Sequence, residues 1–236
     1  MNTQKVAVVT GASQGIGAAL VAAYQQLGFA VVANSRSIAP ASTDDLVTVA
    51  GDIGDRDVAE RLIATAVERF GRIDTLVNNA GVFLAKPFVD YTQEDYDLVQ
   101  KTNVDGYFYV TQAAARRFLA QGGGGHIVNI TTTIQESALS AVPAALASFS
   151  KGGLASVTKS LAIEYATRGI RVNAVSPGVI RTPMHPAETH EFLSALHPVG
   201  TMGAIEDVVR GVVYLEQSPF VTGEFLHIDG GQSAGH

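Results

Sequence analysis

The glycine-rich segment at residues 10–17, TGASQGIG, has the residue types and spacing that bind a pyrophosphate. Gly11 permits a tight turn, Gly15 lets the backbone approach an anion closely, and Gly17 lets a helix pack against a strand. Such glycine patterns are common between strands and helices, so their context decides the interpretation. Here the segment follows the apolar run at residues 6–9 and leads into a helical pattern, whose free N–H groups can face an anion. We therefore predict a dinucleotide site.

Ser35 and Arg36 follow the second apolar run, at the place where an NAD site usually carries an acidic residue for the ribose 2′-hydroxyl. A hydroxyl and a guanidinium would bind a 2′-phosphate, which a carboxylate would repel. This favours NADP(H) over NAD(H), although Arg36 could instead be an exposed loop residue. Asp52 and Ile53 follow the third run and are expected to contact the adenine; the alternative is an aspartate that begins a turn.

The elements that must position these groups alternate regularly along the chain. Apolar runs span residues 6–9, 29–33, 46–49, 75–77, 127–130, 170–175 and 225–228, and helical patterns span residues 15–27, 56–70, 92–101, 103–120, 145–168 and 205–217. This alternation predicts an α/β fold, a doubly wound (Rossmann-type) seven-stranded parallel sheet with helices on both faces. We expect one domain over residues 1–236, with the proline-rich segment at about 178–203 acting as a substrate lid.

Composition narrows the possible partners. The net charge of -6 and the absence of any Lys/Arg run argue against nucleic acid and against an anionic membrane. No apolar run approaches the ~18 residues of a membrane span, and residues 1–4 leave no room for a signal peptide. We therefore expect a cytoplasmic protein that binds a small-molecule substrate.

Further motifs follow in order: Asp52, residues 78–81, Asn103 with Val104, residues 127–130, Lys151 with Gly152 and Gly153, and residues 171–178. Together with residues 10–17, they resemble the short-chain dehydrogenase/reductase (SDR) family over nearly the whole chain. The resemblance implies that Lys151 holds the nicotinamide ribose and that residues 177–182 clamp the nicotinamide. The predicted cofactor-binding residues are Gly11, Ser13, Gln14, Gly15, Ile16, Gly17, Ser35, Arg36, Asp52, Ile53, Asn79, Ala80, Gly81, Lys151, Pro177, Gly178, Ile180 and Thr182.

The family's catalytic group is an Asn, a Ser, and a Tyr that lies four residues before a Lys on one helix. By resemblance, Asn103 and Lys151 match the Asn and the Lys, and Thr132 keeps a hydroxyl at the Ser position. The stretch between Thr132 and Ala147 is longer than is common in the family, so Thr133 remains an alternative. Ala147 occupies the Tyr position, and no tyrosine of the chain stands four residues before a lysine.

Two hypotheses follow from this departure. The chain is either an NADP(H)-dependent oxidoreductase of a small carbonyl or alcohol with weakened or unusual acid/base catalysis, or a catalytically silent NADP(H)-binding scaffold that acts as a sensor or partner-binding protein. The lid histidines, His185, His190 and His197, could replace the missing acid, although each is more simply an exposed loop residue. We expect no metal site, and the resemblance implies a homo-oligomer, either a dimer or a tetramer.

Overall fold

The computed structural model describes residues 4–235, and its centre is a sheet of seven strands in which every strand pair is parallel. The strands are β1 (Val6–Thr10), β2 (Ala30–Ser35), β3 (Leu46–Ala50), β4 (Thr75–Asn78), β5 (Gly125–Ile130), β6 (Ile170–Pro177) and β7 (Phe225–Ile228). Their order in the sheet is β3-β2-β1-β4-β5-β6-β7. The predicted doubly wound fold is confirmed.

Helices connect the strands and cover both faces of the sheet. They are α1 (Gly15–Gln26), α2 (Arg56–Phe70), α3 (Gln93–Val99), α4 (Gly106–Gln121), α5 (Ala145–Tyr165), α6 (His190–Ser194) and α7 (Ile205–Gln217). No helix within residues 4–235 is both long enough and apolar enough to cross a bilayer. The ends of the expected domain, residues 1–3 and 236, lie outside the described part of the chain.

Alternate residues of each strand pack on opposite faces, which gives two apolar clusters. One face joins Val8 of β1 to Leu62 of α2 and Phe118 of α4. The other joins Val9 of β1 to Leu20 of α1. Side chains buried on both faces explain why the strands read as continuous apolar runs.

The predicted helices at residues 92–101 and 103–120 are parts of one continuous helical segment. Between α3 and α4, residues Gln100–Asp105 form a π-helix, and Asn103 lies in it. A π-turn inserts an extra residue into the helix and redirects the side chains that follow. Spacing in the sequence reveals the two flanking helices but not this wide turn.

All seven strands end at one edge of the sheet, because they run in the same direction. The strand order reverses between β1 and β4, because the chain runs outward from β1 to β3, returns to β4 beside β1 and then runs outward to β7. An open α/β sheet binds ligands in the crevice at such a reversal. The loops after β1 and β4 therefore face the same crevice.

Candidate active site

A cavity of about 440 Å³ opens at the carboxyl ends of the strands. Every predicted cofactor-binding residue lines it, from the glycine loop to Thr182, and so does Thr132. Asn103 does not line it. The structure thus gathers into one crevice residues that are spread along most of the chain.

The glycine loop has the backbone that its sequence suggests. Gly11 and Gly15 have φ values of 65° and 56°, which are left-handed, and a Cβ on Gly17 would lie 2.2 Å from the carbonyl oxygen of Gly11. The Nδ2 of Asn79 donates to the carbonyls of Thr10 and Gly11 at 3.0 and 3.1 Å, which fixes the loop against the end of β4. Helix α1 carries no acidic residue in its first turn, so its N-terminus remains favourable for an anion.

Ser35 and Arg36 lie at the end of β2 on the wall of the same cavity. The Ser35 hydroxyl is buried and has no hydrogen-bond partner among residues 4–235. Arg36 is exposed and pairs with no carboxylate in that range. The unpaired guanidinium fits a phosphate, with which it would form a charge-assisted hydrogen bond, and the Ser35 hydroxyl has no competing partner in that range.

Asp52 lies beside this pair on the cavity wall. Its Oδ1 accepts a hydrogen bond from the Gly54 N–H at 3.0 Å, and its Oδ2 lies 3.5 Å from the ammonium of Lys101. Asn34 is a neighbour that the sequence analysis missed. Its buried amide donates to the carbonyls of Val49 and Gly51 at 2.9 and 3.2 Å, and so joins the ends of β2 and β3.

Asn103 is buried behind the turn that follows β4. Its Oδ1 accepts from the Val82 N–H at 2.8 Å, while its Nδ2 donates to the Val82 carbonyl and to the Ser150 hydroxyl, both at 3.0 Å. The side chain is therefore fully engaged by protein groups. It fixes the turn after β4 against α5, one residue before Lys151.

The structure separates the two threonines that the sequence could not distinguish. Thr132 lines the cavity, and its hydroxyl makes no hydrogen bond to any described residue. Thr133 is buried, and its hydroxyl donates to Oε1 of Gln232 at 2.8 Å. Gln232 also lines the cavity. Its role was missed because it lies 99 residues from Thr133, near the end of the chain.

Lys151 projects from α5 to the cavity wall beside β5. Its Nζ donates to the carbonyl oxygens of Ile130 and Thr131 at 3.3 and 3.4 Å, and no carboxylate in the described chain forms an ion pair with it. Burial lowers the pKa of Lys151 to about 8. The ammonium is thus a weakly compensated cation that can bind the hydroxyls of a ligand.

Ala147 lies one helical turn before Lys151 and is only 1% exposed. It packs with Ile134 and Ala144, and Phe83 and Val142 cover this small cluster. The segment that precedes α5 therefore packs over Ala147, the position that the resemblance matches to the family's tyrosine. Tyr107 offers no replacement on the cavity wall, and burial raises the pKa of its hydroxyl to about 12.

The expected lid, residues 178–203, is irregular except for α6 and a short 3₁₀ turn at Ala187–Thr189. Two backbone hydrogen bonds close its base, from Arg181 to the Gly203 carbonyl at 2.9 Å and from Gly203 to the Val179 carbonyl at 3.0 Å. These bonds hold the two ends of the segment together. Its middle is left beside the cavity, which Pro183, Met184 and Leu193 line.

The three lid histidines have different surroundings. His197 is buried, and its Nε2 accepts from the Val179 N–H at 2.9 Å, so the expectation of an exposed residue is wrong for it. His185 lines the cavity, and His190 bonds to the carbonyl of His185 at 3.0 Å. Burial, and then the neighbouring His190, lowers the pKa of His185. The histidines belong to no cluster of three possible metal ligands within residues 4–235.

A doubly wound sheet with a glycine loop at the reversal of its strand order is typical of dinucleotide-binding proteins. The model of the family described as enoyl-(acyl carrier protein) reductase matches residues 11–233. The chain is 35% identical to the 3-oxoacyl-(acyl-carrier-protein) reductase of Thermotoga maritima, with 96% of this chain and 97% of that protein covered. It is 38% identical to an uncharacterized oxidoreductase of Methylorubrum extorquens, over 96% and 97% of the two chains.

Solved structures are similar over the same length. The structure of ElxO with NADP bound superposes with a TM-score of 0.91 at 27% identity, and covers 99% of this chain and 100% of that one. A Serratia marcescens short-chain dehydrogenase/reductase carrying two substitutions has a TM-score of 0.87 at 33% identity, over 99% and 100% of the two chains. The chain belongs to the SDR family of oxidoreductases.

Proposed function

We propose that this protein is an NADP(H)-dependent oxidoreductase that interconverts a small, largely apolar carbonyl compound and its alcohol, with weakened or unusual acid/base catalysis. The observation that carries the proposal is the cavity wall. It presents the complete predicted set of cofactor contacts together with the Thr132 hydroxyl and the Lys151 ammonium. A scaffold without a bound dinucleotide has no use for such a set.

The preference for a 2′-phosphorylated cofactor rests on Ser35 and Arg36. A carboxylate at this place would repel the phosphate, whereas here a buried hydroxyl lacks a partner and a guanidinium is unpaired among the described residues. The NADP bound to ElxO supports a nicotinamide cofactor but does not distinguish NADP from NAD in this chain. When bound, the reduced nicotinamide supplies the hydride.

The chain's own residues would hold that cofactor along the crevice. The N-terminus of α1 and the glycine loop would bind the pyrophosphate, while Asp52 and Ile53 would contact the adenine. Lys151 would donate to the ribose hydroxyls near the nicotinamide. The Ile180 backbone and the Thr182 hydroxyl would bind the carboxamide.

The substrate end of the cavity is apolar. The side chains that line it beyond the threonines are Phe83, Ile134, Leu139, Val142, Met184, Leu193 and Leu196. Few groups there can compensate a charge, and burial of an uncompensated charge is costly. We therefore propose a neutral substrate, whose carbonyl oxygen is oriented by the Thr132 hydroxyl.

A second candidate, a silent NADP(H)-binding scaffold, is favoured by Ala147. Loss of a positioned general acid typically lowers a rate by about 10²–10⁴-fold, and Ala147 is buried in a cluster of apolar side chains that holds no proton donor. The two candidates share the cofactor site and differ only in turnover.

The test is NADPH consumption against a broad panel of aldehydes and ketones, with the binding of NADPH measured in parallel by fluorescence. Turnover of at least one carbonyl compound supports the enzyme, provided that the turnover arises in this cavity. The Lys151→Ala variant is the control, because turnover at this site should fall when Lys151 is removed. Tight binding of NADPH with no turnover of any compound supports the scaffold. If the protein neither binds NADPH nor reduces any compound, both candidates are overturned.

We also propose that the protein is cytoplasmic and assembles as a homodimer or homotetramer. Its helices α4 and α5 expose large apolar side chains, among them Phe108 at 53% and Ile163 at 78% exposure. A second copy that pairs through these helices would remove that apolar surface from water. Sedimentation analysis of the purified protein, with Ile163→Lys as the variant expected to dissociate, tests this assembly.

A further inference from the structure

Reduction of a carbonyl requires a proton at the substrate oxygen, and few groups on the cavity wall can supply it. Four ionisable side chains line the cavity: Arg36, Asp52, Lys151 and His185. No tyrosine among residues 4–235 does so. The missing phenol is therefore not replaced by another one.

Two of the four, Arg36 and Asp52, lie at the end of the cavity that is far from Thr132. Arg36 follows β2 and Asp52 follows β3, whereas Thr132 follows β5, and β1 and β4 lie between these two groups of strands. Three strand steps from β2 to β5 amount to about 14 Å. Neither side chain can reach a carbonyl held by the Thr132 hydroxyl.

His185 lines the lid side of the cavity but holds its proton poorly. Burial and the neighbouring His190 lower its pKa below the ordinary value of 6.5, so the imidazole is neutral at pH 7. A neutral imidazole is a much weaker acid than an imidazolium, so His185 is a poor proton donor for carbonyl reduction. The backbone of His185 is also fixed, since its N–H donates to Thr182 and its carbonyl is bonded by His190.

Lys151 remains, and its surroundings differ from those of a structural lysine. The two carbonyls that it contacts belong to Ile130 and Thr131, so its Nζ lies at the peptides directly before Thr132. No carboxylate in the described chain holds the ammonium. Ala147 ends at its Cβ and is turned into an apolar cluster, so position 147 offers no other proton donor.

The geometry points to Lys151 as the general acid of this site: its Nζ delivers a proton directly to the carbonyl oxygen that the Thr132 hydroxyl orients. In reduction, an Nζ–H bond breaks and an O–H bond forms, while the carbonyl carbon takes up the hydride supplied by the reduced nicotinamide. The amine keeps the electron pair of the broken bond and takes a proton from water before the next turnover. In alcohol oxidation the neutral amine accepts the proton. The inference rests on the proposed oxidoreductase function.

The acidity of the group suits this work. Burial brings the pKa of Lys151 to about 8, compared with about 10.4 for free lysine, and a general acid is most effective when its pKa is near the working pH. The cause of the lowered pKa is burial of the ammonium.

The variant that tests the inference is Lys151→Arg. A guanidinium can still bond ribose hydroxyls but stays protonated at every working pH. We expect NADPH binding to remain within a few-fold of the wild-type value, while the rate of carbonyl reduction falls by about 10²–10⁴-fold. The wild-type rate should fall as the pH rises past about 8, and the residual rate of the variant should lack this fall. Lys159→Ala, on the same helix but exposed, is the matched control and should keep both the rate and the profile.

Two further measurements separate proton transfer from mere positioning. In the Lys151→Ala variant, small primary amines should restore part of the rate, and the restored rate should depend on the pKa of the amine. Independently of activity, the pH dependence of Lys151 acetylation in the cofactor-free protein, followed by mass spectrometry, should show a midpoint near 8. A midpoint near that of free lysine, or a Lys151→Arg variant with the wild-type rate and profile, overturns the inference alone. A wild-type chain that binds NADPH and reduces no carbonyl overturns the proposed function together with it.

Discussion

The hydroxyl of Thr133 donates a hydrogen bond of 2.8 Å to Oε1 of Gln232, and this bond joins the end of β5 to the C-terminal segment. Both residues are buried, and both line the cavity. The bond also turns Thr133 away from the role of substrate ligand, which leaves Thr132 as the threonine with an unengaged hydroxyl.

The Thr133→Val variant should therefore lose stability. Valine keeps the shape of threonine but removes the donor, so that Oε1 of Gln232 is left buried without a partner at a cost of about 1–3 kcal/mol. Urea denaturation followed by circular dichroism measures the change in the free energy of unfolding. Thr132→Val is the matched control: it should unfold almost as the wild type does but reduce carbonyls more slowly. Equal loss of stability in the two variants would contradict this assignment of the two hydroxyls.

The second prediction concerns cofactor choice. Arg36→Ala removes a cation that would pair with the 2′-phosphate, and Ser35→Asp introduces a charge that would repel it. We expect both variants to bind NADPH more weakly, with Ser35→Asp the weaker, while the affinity for NADH stays the same or rises. Fluorescence titration with each dinucleotide checks this. If the wild type binds NADH and NADPH equally well, these two residues do not read the phosphate.

The third prediction concerns the missing tyrosine. Ala147→Tyr alone should not restore a normal acid, because the phenol would have to enter a cluster already filled by Ile134, Ala144 and Val142. Forcing extra atoms into a packed core costs about 1–3 kcal/mol. The Ala147→Tyr, Val142→Ala double variant relieves that crowding. It should be more stable than the single variant and should reduce carbonyls faster than the wild type.

Thermal unfolding and NADPH consumption on the same samples test this pair of variants. The Val142→Ala single variant is the control for widening the cavity without adding a phenol. A single Ala147→Tyr variant with wild-type stability would show that the segment before α5 moves aside freely. A double variant that binds NADPH but gains no rate would mean that the pocket differs from a tyrosine-dependent site in more than one group.

The sequence predicts much of this molecule because local patterns determine much of it. Seven apolar runs correspond to seven strands, and a glycine loop placed between a strand and a helix identifies the crevice. What it could not predict depends on contacts between distant segments. Tertiary packing produces the π-helical turn that carries Asn103 and the burial of His197. It also gives Thr133, but not Thr132, a hydrogen bond to Gln232.

A fourth prediction comes from the opposite end of the sheet, where His126 of β5 donates from Nδ1 to Oε2 of Glu216 at 2.9 Å. The tautomer follows from the other ring nitrogen: Nε2 faces the amide of Asn173 at 3.1 Å and the guanidinium of Arg171 at 3.4 Å, so it must accept. Thr75 and Tyr24 also donate to the carboxylate, at 3.0 and 3.1 Å. The imidazole is thus buried in its neutral form.

Burial lowers the pKa of His126 below 6.5, against the opposing effect of Glu216. The unfolded chain then takes up a proton at this histidine as the pH falls below 6.5, whereas the folded chain does not. The stability that depends on this histidine is complete above that pH and is lost as the pH falls toward the folded pKa, with a limiting slope of about 1.4 kcal/mol per pH unit. Urea unfolding at several pH values between 7.5 and 5.5 measures the slope of the free energy of unfolding against pH.

The His126→Gln variant should reduce this slope by up to the amount that one proton contributes. Thr75→Val, which removes a donor to Glu216 but keeps the imidazole, should be less stable throughout and retain the wild-type slope. A His126→Gln variant with the wild-type slope would show that another group carries the pH dependence.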